Sequence, residues 1–206
     1  LDMTLVNSNS FNTKFDFIIS KRAIQNVLDH RLQLEAIDEF GSFLADDGLM
    51  VLVESSGNAL QRINSSRVKY GLPKITAPFH NLFFNDQLIR KYNFKNVNLL
   101  KIEPFSSDFY FVTRIIYARY AQEYLKEEPT YDHPLQKIAL SLSKNQSTKD
   151  FSQVQCYLLT KKKHLNKLIK FFGFKDYVLD VLIVGGGNIG QNLSTLIEQD
   201  DQEIDL

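Results

Sequence analysis

The spacing of apolar residues near the start of the chain changes twice. Phe15 to Ile19 form a short apolar run of strand length, Leu32 to Leu44 carry apolar residues at helical spacing, and Met50 to Val53 are apolar again. The intervening sequence ADDG reads as a helix stop signal, in which only Gly48 needs unusual backbone angles. This alternation predicts a strand-helix-strand unit whose two strands lie parallel in one sheet.

The middle of the chain continues the alternation of elements. A polar segment with aromatic residues, 56–94, follows the second strand as an excursion from the sheet. It ends in a helix capped by Asn85 or Asp86. The expected fold class is therefore α/β, a partial Rossmann-like parallel or mixed sheet with flanking helices. Further predicted elements are a strand from Asn96 to Pro104, an amphipathic helix over 108–125, a short helix after it, and an alternating strand over 151–162.

A second pattern stands near the end of the printed sequence. Val181 to Val184 are apolar and precede Gly185, Gly187 and Gly190 in the spacing Gly-x-Gly-x-x-Gly, before a helical pattern over 188–198. Such a turn brings backbone amides and a helix N-terminus to a phosphate. We expect the strand and helix to form but to bind nucleotide weakly, because a sheet neighbour and a ribose-binding acid are missing. The patterns divide the chain into an incomplete second unit, 163–206, and a first domain, 1–162.

Charge and composition exclude several classes of function. The 206 residues carry no net charge and have a pI near 7.1, so the basic surface of a nucleic-acid or anionic-membrane binder is not expected. The single cysteine, Cys156, indicates a reducing compartment. The sequence has no apolar window long enough to span a membrane and no signal-peptide pattern. We expect a cytoplasmic protein without membrane insertion, and a fragment, since both ends fall inside recognisable patterns.

Polar residues follow both strands of the first unit. Ser20, Lys21 and Arg22 come after the first strand, and Glu54 ends the second. Ligands of open parallel sheets lie beyond the carboxyl ends of the strands, so these residues are candidates for a binding site. A solvated strand end is the alternative for each of them.

Residues 1–162 resemble a class I S-adenosylmethionine-dependent methyltransferase, through "FDFIISKRAIQNV" and "LADDGLMVLVESSGNALQRINSSRVKYGLPKITAPFHN". The resemblance implies that Asp2 contacts the adenine ring and that Ser20, Lys21 and Arg22 border the methionine part of the cofactor. The family's glycine-rich loop and its ribose-binding acid would precede residue 1. The resemblance therefore implies poor cofactor binding and inactivity of this chain alone.

Methyl transfer requires an aligned acceptor and, for some acceptors, a base that removes its proton. The acceptor is not specified by the sequence and includes small molecules, glycans and proteins. Arg67 suits an acidic or phosphorylated acceptor, with a plain salt bridge as the alternative. No metal site is predicted. The candidate catalytic residues are His80, Tyr70 and Glu54, and the candidate substrate-binding residues are Asn64, Arg67 and Asn81.

Residues 164–206, through "HLNKLIKFFGF" and "VLIVGGGNIGQNLSTLIE", are similar to the NAD-binding TrkA-N module of Trk-type potassium-uptake regulators. That similarity implies NAD as a cofactor at Gly185, Gly187 and Gly190, and a membrane transporter as a partner of this segment only. Three interpretations stay open: a methyltransferase portion, an NAD-sensing cytoplasmic regulator, and an inert fragment. A chimeric reading frame is the simplest origin of the two halves, and a genuine fusion is the alternative.

Overall fold

The computed structural model describes residues 12–143, 151–161 and the backbone of 181–184, which build a mixed α/β fold around one sheet. Five strands form this sheet in the order β3-β4-β2-β1-β5. The strands are β1 (Phe15–Lys21), β2 (Leu44–Ser55), β3 (Asn98–Pro104), β4 (Val154–Thr160) and β5 (Val181–Val184).

The predicted strand-helix-strand unit is confirmed. Strand β1 pairs with β2 in parallel, and helix α1 (His30–Phe43) connects them. The helix begins where the Asp29 side chain accepts a hydrogen bond from the backbone N–H of Leu32, which satisfies one of the free donors of the first turn. Its apolar positions, such as Ile37 and Phe40, are fully buried because they recur on the face that packs on the sheet.

The helix ends at Phe43, as the stop signal at ADDG predicts, but ADDG itself lies inside a strand instead of in a turn before one. Strand β2 begins at Leu44, directly after α1, and the register with β1 shifts between Phe15 and Phe17, so 45–48 form a bulge inside the strand. Gly48 does not have a positive φ. A side chain there would instead meet the Leu44 side chain at 2.8 Å and the Asp16 carbonyl at 3.0 Å, so lack of space selects glycine.

The alternating stretch near residue 155 forms an inner strand. Strand β4 lies between β2 and β3 and runs antiparallel to both, so the sheet is mixed. Asn85 caps the helix after the excursion, as predicted, by accepting from the backbone N–H groups of Gln87 and Leu88. The remaining helices are α2 (Gly57–Lys69), α3 (Asp86–Lys91), α4 (Ser107–Phe111), α5 (Tyr117–Tyr120) and α6 (Pro134–Leu142), with π-helical stretches at Val112–Ile116 and Ala121–Leu125.

Strand β5 confirms the strand predicted at 181–184, but its position differs from expectation. It pairs with β1 in parallel, with Val184 opposite Ser20. The expectation that this strand lacks a sheet neighbour is therefore wrong, since β1 is that neighbour. The predicted boundary near 161–164 does not separate β5 from the sheet, although the division into domains stays a prediction. Asp2, Gly185, Gly187, Gly190 and the predicted helix over 188–198 lie outside the described residues.

The hydrophobic core lies between the sheet and its helices. Ile18 of β1, Met50 and Leu52 of β2, and Phe84 and Tyr157 are all buried. The Tyr157 hydroxyl donates a 2.7 Å hydrogen bond to the Asp86 carboxylate, so its one polar atom has a partner. Among the helices of the described ranges, none is both long enough and apolar enough to cross a membrane.

Candidate functional site

The carboxyl ends of three parallel strands meet at one edge of the sheet. Ser20 lies opposite Val184 of β5 on one side and opposite Leu52 of β2 on the other. Directly after β1 the backbone turns at Arg22, whose φ of 52° lies in the left-handed region that non-glycine residues rarely adopt. The Arg22 N–H still donates to the Val53 carbonyl at 2.9 Å, so the turn is fixed to β2.

Glu54 organises this edge from inside the protein. Its Oε1 accepts hydrogen bonds from the Ser20 hydroxyl at 2.8 Å and from the N–H groups of Ala23 and Ile24 at 3.1 and 3.2 Å. Its Oε2 accepts from the N–H of Gln25 at 3.3 Å. Burial raises the pKa of Glu54, and these four hydrogen bonds oppose the rise. The carboxylate is fully buried, and this geometry favours a structural role over the predicted catalytic one.

Two of the three residues predicted after β1 keep accessible side chains. Ser20 is fully buried and donates to Glu54, whereas Lys21 is half-buried and Arg22 is exposed. Burial lowers the pKa of Lys21, and the neighbouring positive charge of Arg22 lowers it further. The edge therefore presents two adjacent cations beside a buried hydroxyl.

Two buried glutamines brace the same turn, and sequence reasoning missed both. The Gln25 side-chain oxygen accepts from the N–H of Ser55 at 3.1 Å. The Gln33 amide donates to the carbonyls of Val27 at 2.9 Å and Leu82 at 2.7 Å. Neither glutamine belongs to a recognisable motif, and two of their partners, Ser55 and Leu82, are backbone groups distant in sequence.

Asn64 and Arg67 lie on one face of α2, as predicted, and both hold the loop that follows the helix. The Asn64 amide donates to the Ile75 carbonyl at 2.9 Å and accepts from the Ile75 N–H at 2.8 Å. The Arg67 Nε donates to the Pro73 carbonyl at 2.7 Å, and its Nη1 donates to the Arg114 carbonyl. Both side chains therefore stabilise the loop after α2. Their contact with a methyl acceptor remains a prediction.

His80, Tyr70 and Asn81 lie on the excursion after β2. His80 is exposed, with its ring edge-on to Phe79 at 5.1 Å, and Tyr70 is 51% exposed at the end of α2. The Asn81 side-chain oxygen is buried and has no hydrogen-bond partner within the described residues. No hydrogen bond in this part of the chain joins His80 or Tyr70 to Glu54, so the three predicted catalytic side chains do not form one bonded group.

Metal-binding and thiol chemistry have little support. Within residues 12–143 and 151–161, no three His, Cys, Asp or Glu side chains are placed to hold a metal ion. Burial, and to a lesser degree the charge of Glu103, raises the pKa of Cys156 to about 11. The thiol is therefore protonated at neutral pH, a poor nucleophile.

Comparisons with known proteins give partial structural similarity only. No family model and no curated protein matches the chain. The cyclopropane synthase MmaA2 from Mycobacterium tuberculosis superimposes with a TM-score of 0.39 and 14% identity, over 75% of this chain and 58% of that chain. PKMT2 from Rickettsia typhi gives 0.36 and 13%, over 85% and 40%, and its complex with AdoHcy gives 0.34 and 12%, over 80% and 38%. This chain thus spans less than two thirds of each solved structure, and no residue role is carried over from them.

Proposed function

We propose that the carboxyl edge of β5, β1 and β2 binds S-adenosylmethionine and that the chain takes part in methyl transfer to an acceptor. The resemblance of residues 1–162 to class I methyltransferases supports the cofactor class. One structural observation carries the proposal. The three strands are parallel with their carboxyl ends at the same edge of the sheet, and the glycine-rich sequence starts directly after β5.

The order of the strands supports a binding crevice between β5 and β1. The chain passes from β1 to β2 on one side, whereas β5 lies on the other side of β1. In open α/β sheets, ligands bind outside the carboxyl ends of the strands at the point where the strand order changes direction. Val184 and Ser20 face each other at that point.

Because of the position of β5, this chain itself contains a candidate for the cofactor loop. Gly185 is bonded to Val184, so the sequence Gly185-x-Gly187-x-x-Gly190 starts at the edge where Ser20 and Glu54 lie. The sequence resemblance by itself assigns the cofactor loop to residues before Leu1. In this proposal, the turn after β5 has that role in the same sheet as β1.

The side chains of the edge suit the charges of the cofactor. S-adenosylmethionine carries a carboxylate, and the adjacent cations Lys21 and Arg22 are suitable partners for it. Because the Glu54 carboxylate already accepts four hydrogen bonds, its proposed role is to fix the turn beneath the cofactor. His80 and Tyr70 remain the proposed bases for an acceptor that must lose a proton, since both are exposed.

Isothermal titration of the full chain tests the proposal. We expect S-adenosylmethionine and S-adenosylhomocysteine to bind with dissociation constants in the micromolar range, about −8 kcal/mol. Gly187→Val is expected to weaken both by at least about tenfold, about 1.4 kcal/mol, because the added side chain occupies the approach of the cofactor to the backbone. The thermal melting temperature of the variant shows whether its fold is kept.

NADH is the matched competitor in the same titration. Saturable NADH binding that Gly187→Val abolishes, without binding of S-adenosylmethionine, would contradict the proposal and support the NAD-sensing regulator. If neither ligand binds the folded chain, the edge is not a cofactor site and the proposal is wrong.

A further inference from the structure

A cavity of about 690 Å³ lies between two helical regions and is lined by residues other than those of the strand ends. One wall comes from the end of α2 and the loop after it, including Arg67 and Lys74. The opposite wall comes from the helical region after β3, including Arg114 and Lys126. A cavity of this size accommodates a small organic molecule.

Side-chain clamps fix the shape of this cavity. Asn64 holds Ile75 by two backbone hydrogen bonds, and Arg67 holds Pro73 at 2.7 Å. Arg67 also donates to the Arg114 carbonyl, which joins the two walls. Because these bonds are made within the protein, the cavity is formed before any ligand arrives, and binding does not have to order the loop.

The charge of the lining is unusual for a partly buried site. Among the described residues of the lining, Arg67, Lys74, Arg114 and Lys126 are cationic, and Glu127 and Glu128 are anionic. Arg67 is only 7% exposed. Its pKa is lowered by burial and then by the charge of Arg114, while Glu128 opposes the shift. A guanidinium whose charged form is disfavoured by burial and by a neighbouring cation is stabilised by an anion beside it.

The Nε of Arg114 supplies a second observation. This atom is buried and has no hydrogen-bond partner within the described residues. A buried donor without an acceptor costs about 1–3 kcal/mol, so a ligand oxygen that accepts from it gains affinity. Apolar residues, among them Leu72 and Ile75, line the same cavity and suit an uncharged part of the ligand.

We propose that this cavity binds a small organic anion, with a carboxylate or phosphate group at Arg114 and Lys74 and an apolar body against Leu72 and Ile75. Its identification as the methyl-acceptor site rests on the proposed function, whereas anion binding does not. Both oxyanions match the planar, multidentate donors of a guanidinium.

Calorimetric titration of the full chain at low salt tests anion binding without any cofactor. The probes are phenyl phosphate, phenylacetate and the uncharged phenylacetamide. We expect saturable binding of at least one anion and at least about tenfold weaker binding of phenylacetamide, which corresponds to about 1.4 kcal/mol. Tighter binding of phenyl phosphate would identify the bound group as a phosphate, and tighter binding of phenylacetate would identify it as a carboxylate. Equal affinity for the two would show that the cavity binds either oxyanion.

Arg114→Met is the main variant, because it removes the guanidinium and leaves the backbone carbonyl that Arg67 binds. It is expected to weaken anion binding at least about tenfold. Lys74→Met is the second variant, and Arg90→Met, which removes an exposed cation from α3, is the matched control with an affinity within about twofold. Failure of both anions to bind up to about 10 mM, equal binding of phenylacetamide, or unchanged binding in Arg114→Met would overturn the proposal. A chain that binds anions but not S-adenosylmethionine would refute only the proposed function.

Discussion

Replacing Glu54 by alanine is the most informative perturbation of the fold. The carboxylate accepts hydrogen bonds from the Ser20 hydroxyl and from three consecutive N–H groups, those of Ala23, Ile24 and Gln25. All four donors lose their acceptor in Glu54→Ala, in a site that has no exposed surface. At about 1 kcal/mol or more for each buried donor, the expected loss in the free energy of unfolding is about 4 kcal/mol. That is a large part of the about 5–15 kcal/mol typical of a domain.

Glu54→Gln separates hydrogen bonding from charge. An amide oxygen at the Oε1 position keeps its three donors, but the NH₂ group then faces the N–H of Gln25, which is 3.3 Å from Oε2 in the wild type. The expected loss is about 1–2 kcal/mol, since one acceptor becomes a donor. Urea denaturation followed by circular dichroism measures both variants. Glu35→Gln, which removes an exposed carboxylate from α1, is the control and is expected within about 0.5 kcal/mol of wild type.

The pH dependence gives an independent check on Glu54. Burial raises the pKa of Glu54 in the folded state above its ordinary value of 4.5. Its contribution to stability is therefore full below pH 4.5 and is lost as the pH rises through the folded-state pKa. Glutamine does not titrate, so the stability difference between wild type and Glu54→Gln should narrow as the pH increases through this window. A Glu54→Ala loss below about 1 kcal/mol would refute the structural role of this carboxylate, whereas a difference that widens with pH would refute the raised pKa.

Three other predictions concern the backbone, the thiol and the sheet. Ser106 has a φ of 57° and makes no side-chain cap, so Ser106→Gly should raise the free energy of unfolding by about 0.5–1 kcal/mol in urea, whereas Ser106→Ala should not. With a pKa of about 11 against an ordinary 9, Cys156 should react with iodoacetamide at pH 8 about 100-fold more slowly than a free cysteine, and faster as the pH approaches 11. A chain ending at residue 161 should be at least about 2 kcal/mol less stable than one ending at residue 184, since it lacks the four residues that pair with β1. Equal stability of those two chains would show instead that pairing with β5 does not stabilise the sheet.

The sequence predicts those parts of the fold that depend on local spacing. The strand-helix-strand unit follows from apolar periodicity, and Asn85 follows from the local chemistry of helix caps. The start of β2 at Leu44 was missed because a bulge lets a strand include the polar turn that ordinarily precedes it. The π-helical stretches leave no comparable signal in the sequence.

The candidate site was less predictable because its contacts join distant residues. Ser20 and Glu54 were both predicted to lie at strand ends, but the backbone partners of Glu54, such as Ala23, belong to a turn whose path no sequence pattern specifies. Arg114 was not singled out at all, since its neighbour Arg67 lies 47 positions earlier in the chain. Contacts between residues this far apart in the sequence depend on tertiary packing, which local propensity does not encode.

The buried and the exposed side chains at the edge of the sheet have different roles. A cofactor site on a parallel sheet requires a turn that does not move when the ligand binds, and Glu54 supplies this rigidity by holding three successive N–H groups from beneath. Those bonds use the Ser20 hydroxyl proton and both carboxylate oxygens of Glu54, and both side chains are buried. In the proposed site, the accessible cations Lys21 and Arg22 are the side chains left to recognise a ligand. An acid at the end of a parallel strand looks catalytic in the sequence, whereas the four hydrogen bonds that Glu54 accepts favour a role in holding the fold.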